Sequence, residues 1–122
     1  RLGLFGHGHG GGAAILAGGE PPWRDRVRAL VTWAAVADAD VLAAAGEVRA
    51  PWLIVHGGED KTVSSEAGRR LAGLAQSTGG EHELLVVPGA GHTFGSRHPF
   101  AGPTPQLIQA LNATQRWFRA HL

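Results

Sequence analysis

Apolar residues come in four short runs, at 2–5, 29–33, 51–56 and 84–87, each broken by glycine, proline or charge. Runs of this length without strict alternation fit strands of a sheet covered on both faces. The segments between them carry a different pattern. Residues 11–18, GGAAILAG, are small and apolar all round, which predicts a helix buried on every side and stopped by Gly18, Gly19 and the Pro21-Pro22 pair. Residues 23–28 form a polar, arginine-rich approach to the second strand, and residues 34–49 hold a loop and a short alanine-rich helix. Ser64 is placed to cap a helix with Ala67, Leu71, Leu74 and Ala75 on its apolar face, closed by Gly79 and Gly80. Thr104 is placed to cap a last helix with Pro105 at its first position and Leu107, Ile108, Leu111, Phe118 and Leu122 along its buried stripe.

Strand and helix therefore alternate four times, which predicts an α/β fold. It would be a four-stranded parallel sheet with right-handed crossovers and helices on both faces, three layers in all. Such sheets bind ligands beyond the carboxyl ends of their strands. The residues just past those ends are His7 to His9, Trp33, Asp60 and His92.

Composition narrows the chemistry. No cysteine is present, so disulfides and thiolate metal sites are excluded. Ten arginines and one lysine are scattered along a chain of net charge +1, without the concentrated basic face that nucleic-acid binding needs. No apolar run is long enough for a membrane span and no charged-then-apolar signal opens the chain, so neither membrane nor nucleic acid is an expected partner, and a cytoplasmic location is expected. Seven histidines in 122 residues raise the weight of pH-dependent or metal chemistry.

The opening stretch LGLFGHGHGGG runs from the first strand through a glycine-rich turn into a small-residue helix, and two motifs share that context. Gly6, Gly8 and Gly11 complete the dinucleotide fingerprint G-x-G-x-x-G, whereas Gly6 and Gly10 frame a nucleophile elbow G-x-S-x-G with Gly8 where the serine belongs. The fingerprint needs an acid at the end of the next strand, and Asp38 and Asp40 come late for that. The elbow needs an acid and a histidine in that chain order, which Asp60 in HGGEDKTV and His92 in PGAGHTF supply. A third reading is a ligand or metal module built on His7 and His9, with His92 as the only candidate third ligand. Trp33, Phe94, His98 and Phe100 follow strand ends on the same edge and are candidates to line a substrate pocket; His56, His82 and His121 read as strand-end, loop and exposed-helix residues with no role.

Taken together, GLFGHGHGGG, APWLIVHGGEDKTV, VVPGAGHTF and the closing TQRWFRAHL resemble the C-terminal half of an α/β-hydrolase, most similar to the dienelactone-hydrolase-like and prolyl-oligopeptidase-like branches. The resemblance covers the whole chain and implies one domain, residues 1–122, lacking the strands that precede the elbow in the family. The absence of any methionine agrees with a fragment. It also implies Asp60 as triad acid, His92 as general base, the backbone N–H of His9 as an oxyanion donor, and a small ester, lactone or peptide as substrate, with no cofactor or metal. The family has a nucleophile at the position of Gly8, so the chain as written is expected to be inactive or impaired.

Overall fold

The computed structural model describes all residues, 1–122. Its elements are β1 (Leu2–His7), α1 (His9–Gly19), β2 (Val27–Trp33), α2 (Ala39–Ala45), β3 (Trp52–Gly57), α3 (Ser65–Thr78), β4 (His82–Val87) and α4 (Pro105–His121), with a 3₁₀ turn at Trp23–Asp25. The strands form one parallel sheet in the order β1-β2-β3-β4, as alternating strand and helix patterns require.

Side chains alternate across this sheet and so build two cores. Leu30, Trp52 and Ile54 face α1, α2 and α3, where they meet Ile15, Val41, Ala44 and Leu71. Ala29, Val31, Trp33, Leu53 and Val55 face α4, where they meet Ala110, Ala113 and Trp117. All six residues of β3 are buried, which explains why its sequence shows no polar alternation. The buried tryptophans also satisfy their indole N–H groups, as buried amphipathic rings must. Trp52 donates to Thr32 Oγ1 at 3.0 Å, Trp33 to Thr114 Oγ1 at 2.9 Å and Trp117 to the Pro51 carbonyl at 3.2 Å. The last two pin α4 to the sheet.

The helix ends follow their sequence signals. Ser64 Oγ accepts from the Glu66 N–H, Thr104 Oγ1 from the Leu107 N–H, and Asp38 Oδ1 from the Val41 N–H. Gly79 ends α3 in the left-handed conformation.

Two packing expectations need correction. The first helix is not buried on every side: Ala13 is exposed and Leu16 and Ala17 are half-buried, because α1 lies on one face of the sheet with nothing beyond it. The stripe of α4 is Leu107, Ala110, Ala113, Trp117 and Phe118, while Ile108, Leu111 and Leu122 are among the exposed large apolar residues. Alanines at 110 and 113 let the helix axis approach β2 and β3 closely, so small residues take the inward positions that size alone would have given to leucine and isoleucine.

Candidate active site

The turn between β1 and α1 is set by clearance. A Cβ at Gly6 would collide with the Gly10 carbonyl, so glycine is required where α1 folds back over the strand. Gly8 sits at φ 62°, ψ −123°, a conformation that L side chains adopt only under strain, and it caps α1 without a side-chain hydrogen bond. Its N–H donates to the Trp33 carbonyl at 2.9 Å, and its carbonyl accepts from the N–H groups of Val36 and Gly12, at 3.0 and 3.3 Å. The tip is thus held on three sides. The first N–H groups of α1, beginning at His9, have no carbonyl one turn earlier to bond and face the same edge.

The turn after β3 is built around one carboxylate. Asp60 is buried, and its Oδ1 accepts from the N–H groups of Thr62 and Val63, both at 2.9 Å. Its Oδ2 accepts from Nδ1 of His92 at 2.9 Å across 32 positions of chain. Burial alone would raise the Asp60 pKa; the Val63 N–H, the His92 ring and the Thr62 N–H outweigh it and hold the carboxyl below its ordinary value of 3.8. An ionised carboxylate only accepts, so the shared hydrogen belongs to His92 Nδ1, and Nε2 of the neutral ring is left as an acceptor. That nitrogen points at the elbow: a Cβ added to Gly8 would stand 3.2 Å from His92 Nε2, and apart from the adjoining residues 7 and 9 only that ring lies within 4 Å.

Two further histidines support the arrangement, and the sequence had assigned neither of them to it. His7 donates from Nε2 to the His92 carbonyl at 2.7 Å, and its ring lies 4.9 Å from the His92 ring. His56, fully buried on the α3 side of β3, donates from Nε2 to the Val63 carbonyl at 2.8 Å and stands 3.4 Å from Asp60 Oδ2. It closes the Asp60 turn from below. A signal for it was present: in the inward series Trp52, Ile54, His56 it is the one ionisable member. Of the other two, His82 begins β4 rather than lying in a loop, and His121 is not exposed but half-buried, bonded to Glu81 at 2.9 Å and packed on Trp117.

Beside His7 lies a pocket of about 280 Å³ lined by Phe5, His7, Trp33, Thr93, Phe94, Ser96 and Leu107. Trp33 and Phe94 are therefore where the strand-end argument puts them. His98 and Phe100 are not: both are exposed, Phe100 by 64%, in the segment before α4 and outside this pocket. Phe94 and Ala34 hold positive φ, 55° and 48°, so backbone strain gathers at this edge of the sheet.

The competing readings lose their anchors here. The ring of His92 stands over Gly8, and β2 ends at Trp33 with no carboxylate beside it, Asp38 being spent as the cap of α2. His7 Nε2 is committed to a carbonyl, and no group of three His, Asp or Glu side chains gathers to hold a metal ion. No helix is long and apolar enough to cross a membrane.

Known proteins agree on the fold. A Mycobacterium tuberculosis protein that carries the provisional name of a phosphoribosyl transferase is 39% identical over 123 residues, which take in 99% of this chain and 24% of that protein. The chain thus spans about a quarter of the length of the curated relatives it matches. Among solved structures, the dienelactone hydrolase of Anabaena variabilis superposes with a TM-score of 0.73 at 28% identity, over 100% of this chain and 50% of its own. A puromycin-hydrolyzing peptidase of Mycobacterium tuberculosis superposes at 0.84 with 16% identity, over 100% and 22%. The acylaminoacyl peptidase of Pyrococcus horikoshii does so at 0.81 with 16% identity, over 100% and 24%. The model of the dienelactone hydrolase family matches residues 1–122, the stretch that holds the glycine elbow, the Asp60 turn and the His92 loop, and the chain belongs to that family.

Proposed function

We propose that this chain carries the acyl-hydrolase site of its family, directed at carboxylic ester, lactone or peptide-type acyl bonds, with Asp60 orienting His92, His92 as general base, and the His9 N–H as one oxyanion donor. One observation carries the reading: His92 bonds Asp60 through Nδ1 and faces, through Nε2, the place where a side chain at position 8 would begin. That is the spatial relation of acid, base and nucleophile in acyl transfer. Trp33 and Phe94 would line the apolar part of the substrate site. The transferase name belongs to a protein of which this chain matches a quarter, and the groups gathered around position 8 are those of acyl rather than glycosyl chemistry.

Glycine at position 8 supplies no nucleophile. Removing the nucleophile from such a site costs about a million-fold in turnover, or roughly 8 kcal/mol of barrier, so covalent catalysis by this chain is impaired. Gly8→Ser tests the reading. The variant is expected to show burst-phase release of p-nitrophenol from p-nitrophenyl acetate, labelling by a fluorophosphonate at residue 8, and loss of both in a His92→Gln background. A folded Gly8→Ser protein with neither burst nor label would refute it.

A further inference from the structure

Gly8 leaves open space on the side that faces His92 Nε2. Beyond the adjoining residues 7 and 9, a Cβ there would have only His92 Nε2 at 3.2 Å and Cε1 at 3.7 Å within 4 Å. Beside it are His92 Nε2 and the start of α1, whose first N–H groups have no acceptor within the helix. A buried or half-buried water needs two to four polar partners of this kind. Nothing about the acid side depends on residue 8: Asp60 is fixed by Thr62, Val63 and His92, and the His92 loop by His7. The base is thus oriented for proton removal from whatever occupies that space.

We propose that this chain hydrolyses activated acyl substrates by direct displacement, with a water molecule on the open side of Gly8, deprotonated by His92 Nε2, as the nucleophile. The inference rests on the hydrolase reading above. The water oxygen bonds to the acyl carbon as its proton passes to His92 Nε2, and the resulting oxyanion faces the N–H groups at the start of α1. Collapse breaks the bond to the leaving oxygen, which takes that proton from His92 and departs as an alcohol; the acyl group leaves as the carboxylic acid. No covalent enzyme intermediate forms. The adjoining pocket points to the substrate class. At about 280 Å³ it sits near the lower end of small-molecule sites. Trp33 meets Phe5 and Phe94 edge-on, at 5.1 Å in both cases, with Leu107 completing the wall. Such a pocket takes one aromatic ring or a short branched chain, so esters of small aromatic or branched acids fit best.

The test compares the unaltered chain with Gly8→Ala, Gly8→Ser and His92→Gln on p-nitrophenyl acetate and p-nitrophenyl benzoate. The unaltered chain is expected to turn over without a burst and without inhibition by a fluorophosphonate. His92→Gln is expected to lose about 100-fold, the usual contribution of a general base. Gly8→Ala puts a methyl group into the water's space and is expected to lose a comparable factor. Gly8→Ser imposes the same backbone strain as Gly8→Ala and so reports whether the fold tolerates a side chain there. Turnover by the unaltered chain no faster than by His92→Gln, or undiminished in folded Gly8→Ala, overturns the proposal. If Gly8→Ser still shows burst and label in that case, the hydrolase reading survives alone; if it shows neither, both fall together.

Discussion

Two turns at the same edge of the sheet are built on opposite plans. The Asp60 turn is organised by a side chain: one carboxylate collects two backbone N–H groups and an imidazole, and a second imidazole ties Val63 beneath it. The Gly8 turn is organised by the absence of side chains, with Gly6 clearing the Gly10 carbonyl and Gly8 bonded only through its backbone. The first turn stores its stability in hydrogen bonds to a buried charge. The second uses glycine to hold, without strain, a backbone conformation that any other residue would strain, and three flanking backbone bonds fix it. The two turns meet through His7, whose Nε2 bonds the His92 carbonyl, and across position 8, while the hydrogen bonds that hold Asp60 do not involve the Gly8 turn.

The strongest way to break the comparison is Gly6→Ala. A methyl group placed against the Gly10 backbone has nowhere to go, and a loss of about 4 kcal/mol or outright failure to fold is expected, read from the urea midpoint. Asp60→Ala strikes the other turn. It leaves the N–H groups of Thr62 and Val63 and His92 Nδ1 without their acceptor, for an expected loss of about 2–4 kcal/mol. If it proves neutral, the carboxylate does not organise its turn.

Acid sharpens the same point. The folded-state pKa of Asp60 is depressed, so the stabilisation it gives is fully present above the ordinary value of 3.8 and is lost as pH falls from there through the folded-state value. Urea midpoints of the unaltered chain are therefore expected to fall on acidification below pH ~4 by more than those of Asp60→Asn, which cannot titrate there. The smallest effect is expected from His98→Ala. Its side chain is exposed and outside the pocket, so a change within about 0.5 kcal/mol in stability, and none in the burst amplitude of a Gly8→Ser background, separates it from Trp33 and Phe94.

Much of this fold was legible in the sequence because its signals are local. Buried strands write themselves as apolar runs, Ser64 and Thr104 mark helix starts, and glycines mark the turn that must pass close to a helix. The meeting of Asp60 with His92 was also legible, since both follow neighbouring parallel strands and so emerge at one edge. What escaped depends on distant partners. His7 and His56 act on the carbonyls of His92 and Val63, and nothing in their own neighbourhoods announces which carbonyl will face them. The inward face of α4 escaped for another reason: hydrophobicity ranks Ile108 and Leu111 above Ala110 and Ala113, whereas a helix pressed onto a sheet selects for small size.

The two indole bonds that pin α4 have a kinetic meaning. Helices α1 and α3 each pack beside the strands they connect, and α2 packs against both helices, so that face closes over short loops. Trp33 reaches Thr114 across 81 positions and Trp117 reaches Pro51 across 66. Loops of that length cost more entropy before any contact rewards them, so the α4 face forms late. Contacts absent from the folding transition state govern the unfolding rate. The loop that carries His92, and with it Thr93, Phe94 and Ser96 of the pocket wall, lies between β4 and α4, on the side of the molecule that is last to close and first to open.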